Sequence, residues 1–274
     1  MYQVYGEKLM RKVKNMFDLT GKTIIVTGGA GHLGSGIGEA LSAFGAELYL
    51  LGHDAEKVRR ESSRLREKYE GGTCESIAFD LRDKYSVHGA VNAVMQRAQK
   101  IDVLINNAAY GCTRPLHEFE EGEWLEGIDG TINGVFRMTR EVLPIMLEQG
   151  HGNIINIASM YGMVAPNMEI YGDSGQNNPA NYGAGKAAII QFTKYIACVY
   201  AEKGIRANAV SPGSFPDPMV QKDVRFIHAL ESKTPMHRIG TPEDLQGIMV
   251  YLASDASRYT NGQNIAVDGG WTSW

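Results

Sequence analysis

The chain reads Thr27-Gly28-Gly29-Ala30-Gly31-His32-Leu33-Gly34 directly after a short β-branched run at residues 23–27. The spacing of Gly29, Gly31 and Gly34 matches G-x-G-x-x-G, and a helix-like stretch follows the last glycine. Glycines allow a tight turn and a close approach of the backbone to a pyrophosphate, while a helix N-terminus offers unpaired N–H groups to the anion. A glycine turn between a first strand and a first helix therefore predicts a dinucleotide site. Its expected contacts are Gly28, Gly31, His32, Leu33 and Gly34.

Apolar strands alternate with helices along the rest of the chain. Besides residues 23–27, the predicted strands are 47–51, 73–79, 101–105, 153–157, 205–210 and 265–267, and the predicted helices are 35–44, 56–69, 87–100, 123–147 and 181–202. Strands that are apolar throughout and alternate with helices are typical of a parallel sheet covered on both faces. The sequence therefore predicts a single α/β domain built on a Rossmann-type doubly wound parallel sheet of about seven strands.

Composition argues against several classes of partner. The 274 residues are 43% hydrophobic, which is enough for one large core, and the formal net charge of −4 offers no basic field to nucleic acid. We expect no membrane partner, because no apolar run approaches the roughly 18 residues of a membrane span. Cys74, Cys112 and Cys198 lack metal-ligand spacing, so we expect free thiols, no metal site and a cytoplasmic location.

Tyr182 and Lys186 are four residues apart on a predicted helix, which puts both side chains on one face. A free tyrosine has a pKa of about 10 and is a poor acid–base catalyst at neutral pH. A fixed positive charge nearby favours the phenolate and so lowers this pKa. We therefore predict that Tyr182 exchanges a proton with an alcohol or with a developing alkoxide.

The end of the second predicted strand bears on the choice of dinucleotide. An acidic residue there would bind the adenosine ribose diol of NAD, but this chain has Gly52-His53-Asp54. Gly52 occupies the position of the acid, His53 is placed to approach a 2′-phosphate, and Asp54 is interpreted as the cap of the next helix. The prediction is NAD or NADP, with a preference for NADP.

Together these motifs resemble the short-chain dehydrogenase/reductase family over roughly residues 19–274. Beyond the glycine turn and Tyr182/Lys186, the resemblance rests on short motifs that follow predicted strands: Asp80-Leu81, Asn106-Asn107-Ala108-Ala109, Ser159, Ser211-Pro212-Gly213 and Val267-Asp268-Gly269-Gly270. It implies a homotetrameric oxidoreductase that moves hydride between NAD(P) and a hydroxyl or carbonyl carbon of a small molecule. Residues 1–17 are then an N-terminal extension, and residues 18–274 form the dinucleotide-binding and catalytic domain.

The resemblance also implies roles for individual residues. Ser159 is expected to polarise the substrate carbonyl, Tyr182 to act as the acid–base group, and Lys186 also to hold the nicotinamide ribose. The remaining cofactor contacts are expected from Asp80 and Leu81 at the adenine, from Asn107 and Ala108 in the turn beneath the cofactor, and from Pro212 and Gly213 beside the nicotinamide.

Three departures from the compact, single-domain branch of the family stand out. His32 replaces a glycine, so the turn is similar to that of the extended branch of sugar-nucleotide epimerases and dehydratases. Ser159 lies 23 residues before Tyr182, a longer separation than the compact branch usually has. Thr131 occupies the position of the family's catalytic Asn, which leaves the proton-relay role of that residue open.

The extra residues between Ser159 and Tyr182 fall at 167–179 and are rich in hydroxyl, amide and carboxylate groups. We name residues 167–179 the insertion. It is interpreted either as a border of the active site that suits a sugar-derived substrate, or as a solvated surface loop. The resemblance to bacterial sugar-acid and surface-sugar oxidoreductases favours the first reading. The alternative functions are an extended-branch epimerase or dehydratase, and a catalytically silent dinucleotide sensor.

Overall fold

The computed structural model describes residues 13–69, 73–111, 114–172 and 174–273. Seven parallel strands form one sheet in the order β3-β2-β1-β4-β5-β6-β7. The strands are β1 (Thr23–Thr27), β2 (Glu47–Gly52), β3 (Cys74–Ala78), β4 (Val103–Asn106), β5 (Gly152–Ile157), β6 (Ile205–Pro212) and β7 (Asn264–Val267). This is the doubly wound sheet that the sequence predicts, and the predicted fold class is confirmed.

Helices cover both faces of the sheet. They are α1 (His32–Ala43), α2 (Ala55–Lys68), α3 (Lys84–Ala98), α4 (Glu121–Ile128), α5 (Gly134–Gln149), α6 (Ala180–Val199), α7 (Val224–Lys233) and α8 (Gln246–Ala253). A π-helical turn, Asp129–Asn133, joins α4 to α5, so the predicted helix 123–147 is one helical path with a π turn inside it. The predictions did not include α7 and α8, which are only 10 and 8 residues long.

Alternation along β1 shows why its residues are apolar throughout. Ile24 and Val26 belong to the core on one face of the sheet, together with Ile37 of α1 and Met249 of α8. Ile25 belongs to the core on the opposite face, which also contains side chains of α3, α5 and α6. A strand that is buried on both faces has no polar side, and this is the sequence pattern of a central parallel strand.

The insertion is partly built into the protein. Met168–Ile170 form a 3-10 turn, and Ile170 and Tyr171 are buried. The Tyr171 ring lies 5.6 Å from the ring of Phe226 on α7, and both residues share a small core with Trp271. This packing is inconsistent with a wholly solvated surface loop, because Tyr171 would lose its apolar contacts in water.

Several sequence predictions lie outside the described residues. These are residues 1–12 of the predicted extension and Cys112, whereas Cys74 and Cys198 are both free. Within the described ranges, no helix combines the length and the apolar character that crossing a bilayer requires.

Candidate active site

A cavity of about 820 Å³ lies beyond the carboxyl ends of the strands, where the sheet order reverses between β1 and β4. This is the position at which open α/β sheets bind their ligands. All predicted site residues except Gly34 line it: Gly28, Gly31, His32, Leu33, His53, Asp80, Leu81, Asn107, Ala108, Ser159, Tyr182, Lys186, Pro212 and Gly213. The fold thus brings together residues that are spread over most of the chain.

The glycine turn, residues 27–34, is tightly folded and lies at the base of this cavity. Gly28 has a φ of +63°, a left-handed conformation that glycine adopts without steric cost. A Cβ on Gly34 would lie 2.9 Å from the carbonyl carbon of Gly28 and closer still to its oxygen. The turn can therefore fold this tightly only with a residue at position 34 that has no side chain. No described side chain caps α1, and its first turn carries no acidic residue. These features fit a pyrophosphate.

Thr27 and Asn107 hold the two strands at the reversal point together. The Thr27 hydroxyl oxygen accepts hydrogen bonds from the backbone N–H groups of Asn107 and Ala108, at 3.0 and 3.1 Å. The Asn107 side-chain amide donates to the carbonyl oxygens of Thr27 and Gly28, at 3.1 and 3.2 Å. This arrangement agrees with the supporting position that the resemblance implies for Asn107.

The end of the cavity beneath β2 and β3 is lined by charged side chains. Asp54 caps α2 by accepting a hydrogen bond from the Lys57 N–H at 2.9 Å, which confirms its interpretation as a cap. Hydrogen bonds from Arg82 lower the pKa of Asp80, whose carboxylate is held by that guanidinium. His53, Lys57 and Arg82 all line the cavity here. Sequence reasoning missed Lys57 and Arg82, although each is a basic residue close to a predicted contact.

Ser159, Tyr182 and Lys186 meet at the other end of the cavity. Ser159 follows β5 and hydrogen-bonds Tyr182, and this bond favours the phenolate. The Lys186 ammonium lies 5.5 Å from the centre of the Tyr182 ring and donates to the Ile157 carbonyl oxygen at 2.7 Å. Spacing along α6 therefore places the phenol and the ammonium together, as the sequence predicts.

The electrostatics of this trio differ from the simplest expectation. Burial raises the pKa of Tyr182, and the Ser159 hydrogen bond opposes that rise only in part. Burial also lowers the pKa of Lys186 to about 8. Desolvation penalises both charged forms and is the largest cause of each shift. The Ser159 hydrogen bond lowers the pKa of Tyr182, whereas the lowering that the sequence predicts from the Lys186 ammonium is not found.

Thr131 lies in the π-helical turn and packs against α6. Its hydroxyl donates to the carbonyl oxygen of Gly127 at 2.8 Å, within its own helical path. A Cβ on Gly185 would lie 2.7 Å from the Thr131 Cβ and closer still to its Oγ1. Asn133, the nearest amide in sequence, is exposed and donates to Asp129 instead. Thr131 thus fills space that only a glycine at position 185 leaves open.

We expect Gly185→Ala to destabilise the protein by about 1–3 kcal/mol, because overpacking of a buried contact carries costs of this size. In a helix with free space at this position, the same change would raise the free energy of unfolding by as much as about 1 kcal/mol. The sign of the change in stability therefore tests the contact with Thr131. The measurement is urea unfolding of the wild type and the variant. Adding Thr131→Ala to Gly185→Ala removes the closest contact, that with Oγ1, but keeps the Cβ at 2.7 Å, so it should restore only part of the lost stability. A stabilised Gly185→Ala variant would contradict the contact.

A second cavity of about 310 Å³ adjoins the first. The two share Ala109, Tyr110, Gly111 and Tyr182, and the second is further lined by Gly127, Thr131, Asn177, Asn178, Pro179 and Asn181. Tyr182 therefore stands between them. Sequence reasoning placed the insertion beside the site, but it did not single out Asn177 within it.

Comparison with known proteins agrees with this geometry. A family model described as enoyl-(acyl carrier protein) reductase matches residues 28–272. A 3-oxoacyl-[acyl-carrier-protein] reductase of Thermotoga maritima is 35% identical, over 92% of this chain and 98% of the relative. Gluconate 5-dehydrogenase of Gluconobacter oxydans is 33% identical, over 94% of this chain and 97% of the relative.

The same fold occurs in solved structures. Gluconate 5-dehydrogenase of Burkholderia cenocepacia, solved with NADP and tartrate, superposes with a TM-score of 0.85 at 31% identity. That match covers 94% of this chain and 98% of the other. These findings support the compact branch rather than the extended-branch alternative, and an enzyme rather than a silent sensor. The chain belongs to the short-chain dehydrogenase/reductase family and is an oxidoreductase that acts on CH–OH groups with NAD or NADP.

Proposed function

We propose that the protein is an NADP(H)-dependent oxidoreductase that interconverts a secondary hydroxyl and a ketone on a sugar-derived, polyhydroxylated substrate. The observation that carries this proposal is the place of Tyr182 between the two cavities. One cavity has the lining that a dinucleotide requires. The other is lined by three asparagines, which suit a substrate rich in hydroxyl groups.

Ser159, Tyr182 and Lys186 perform the proton chemistry of the proposed reaction. When bound, the nicotinamide supplies the hydride for reduction or accepts it for oxidation. In reduction, Ser159 donates a hydrogen bond to the substrate carbonyl oxygen, and Tyr182 gives that oxygen its proton as the carbon–oxygen double bond becomes a single bond. The Lys186 ammonium stabilises the tyrosinate that remains. Oxidation follows the same steps in reverse.

The preference for NADP rests on the charges near the end of β2. His53, Lys57 and Arg82 line this part of the cavity, and Gly52 offers no carboxylate to repel a 2′-phosphate. Asp54 bonds to the backbone of its own helix. The NADP complex of the Burkholderia gluconate 5-dehydrogenase supports the same choice.

We expect Lys57→Ala to weaken NADP binding about 10-fold and to leave NAD binding unchanged, because only NADP carries the 2′-phosphate that an ammonium would bind. Isothermal titration with both dinucleotides measures the two Kd values. Arg60→Ala is the matched control, since it removes a positive charge from the same helix without lining the cavity. If Arg60→Ala weakened NADP binding as much as Lys57→Ala, the effect would come from net charge, and a local contact between Lys57 and the 2′-phosphate would be contradicted.

The substrate class is tested by absorbance at the reduced-nicotinamide band. A panel of sugar acids and polyols, including gluconate, is compared with acetoacetyl-coenzyme A, which represents the 3-oxoacyl substrates named in one relative. Turnover of a panel member with NADP(H), at a higher kcat/KM than with the thioester, supports the proposal. Efficient turnover of the thioester alone overturns the sugar assignment and leaves an acyl reductase.

We also propose a cytoplasmic homotetramer. Phe136 of α5 and Tyr195 and Val199 of α6 are large apolar side chains that are about half exposed, and a second copy of the chain would cover them. The tetrameric habit of the family supports this assembly, which sedimentation velocity would test. The free cysteines in the described ranges suit a reducing compartment.

A further inference from the structure

Asn177 combines two properties that rarely occur together. It lines the second cavity, and its side-chain nitrogen is buried without a hydrogen-bond partner among the described residues. A buried donor that is left unpaired costs a folded protein stability, and most such donors in native structures have a partner. Because Asn177 also lines the cavity, a small rotation of its side chain would present this unpaired donor to a ligand atom.

Three other polar side chains that line this cavity are already engaged. The Asn181 amide donates to the carbonyl oxygens of Glu123 and Trp124, at 3.1 and 3.3 Å. The Thr131 hydroxyl donates to the Gly127 carbonyl oxygen, and the Tyr110 hydroxyl donates to the Asp129 carboxylate. The two remaining amides of the cavity, those of Asn177 and Asn178, both belong to the insertion, and Asn177 carries the buried unpaired donor.

We propose that Asn177 determines substrate specificity, its side-chain N–H donating to a hydroxyl or carboxylate oxygen remote from the reacting carbon. This inference rests on the proposed function, because it requires a substrate with such an oxygen. The cavity volume of about 310 Å³ falls at the lower end of ligand pockets, which span roughly 300–1,000 Å³. A substrate that reaches Tyr182 with its reacting carbon can therefore extend its polar end to Asn177.

The insertion holds Asn177 in place. Tyr171 packs on Phe226, and its hydroxyl lies 3.0 Å from that of Tyr161, so the chain before Asn177 is fastened to the body of the protein. Pro179 lies at the start of α6 and fixes the chain after it. A specificity residue needs such support, since a loosely held donor gives up binding affinity when it is ordered.

The test uses full-length protein loaded with NADP⁺ and titrated calorimetrically with gluconate, together with KM for 5-keto-gluconate in the presence of NADPH. Asn177→Ala should weaken gluconate binding about 10-fold and raise KM by a similar factor, with kcat little changed. NADP binding should not change. The Tm should not fall, because the side-chain nitrogen has no hydrogen-bond partner among the described residues whose loss would destabilise the apo-protein. Gln176→Ala, at the exposed neighbouring position, should behave like the wild type.

Asn177→Asp shows whether Asn177 binds a carboxylate oxygen or a hydroxyl oxygen of the substrate. A carboxylate of the substrate would be repelled, so the loss would exceed that in Asn177→Ala, whereas a hydroxyl could donate to the new carboxylate and the loss would be smaller. Gluconate affinity within two-fold of the wild type in both variants overturns the role of Asn177 while leaving the proposed function intact. If the wild type turns over another member of the sugar panel and not gluconate, the same variants are compared on that member. A wild type that turns over no member of the panel overturns the sugar assignment, and the inference with it.

Discussion

Tyr182→Phe is expected to lower kcat by about 10²- to 10⁴-fold, the range over which a positioned acid–base group contributes to catalysis. The variant keeps the ring, so the packing at the junction of the two cavities is preserved. It loses only the hydroxyl that hydrogen-bonds Ser159. Binding of NADP, measured by isothermal titration, should therefore stay within two-fold of the wild type.

The matched control for this variant is Tyr195→Phe, which removes the hydroxyl of an exposed tyrosine on the same helix. It should leave kcat unchanged. If Tyr182→Phe turned over at the wild-type rate, another group would have to supply the proton, and the proposed mechanism would be wrong. If it lost NADP binding as well, the hydroxyl would have a role in holding the cofactor that the proposal does not give it.

Most of the fold could be predicted from the sequence, because the apolar pattern of each strand depends only on the residues of that strand. Continuous apolar runs predict central parallel strands, and β1, β4 and β5 were found close to their predicted positions. The helix α8 lacks such a local signal, because it is short and so apolar that its periodicity is weak; it packs against α1. The helix α7 is amphipathic and is capped by Asp223, so the sequence does carry a signal for it that the prediction missed.

The candidate site divides in the same way. Residues that follow a strand can be placed from sequence, because the carboxyl ends of parallel strands meet at one edge of the sheet. The free N–H of Asn177 could not be predicted, since it depends on which neighbours already use their donors. The pKa shifts of Tyr182 and Lys186 were also out of reach, because desolvation depends on how completely the finished fold excludes water.

Lys186→Met separates catalysis from stability, because the two are expected to change in different ways. The substitution removes the ammonium that stabilises the tyrosinate while roughly preserving side-chain volume. We expect kcat to fall by about 10²- to 10⁴-fold, as expected for the loss of Tyr182 itself. Turnover at the reduced-nicotinamide band measures this loss. Near-normal kcat at pH 7 would show that the proton chemistry does not need the ammonium.

Stability should respond differently because Lys186 is a buried cation. Its pKa of about 8 lies below the ordinary value of 10.5, so between these pH values the unfolded state binds more protons and the wild type gains stability as pH rises. Below pH 8 Lys186 is charged in the folded protein. The shift of its pKa then corresponds to a loss of about 3 kcal/mol in the free energy of unfolding, at about 1.36 kcal/mol per pKa unit. In the variant, the loss of the hydrogen bond to Ile157 offsets roughly 1–2 kcal/mol of this gain in stability.

We therefore expect the Tm of apo Lys186→Met at pH 7 to equal or exceed that of the wild type, and this difference in Tm to vanish near pH 10. A variant less stable than the wild type at pH 7 would show that the ammonium stabilises the fold.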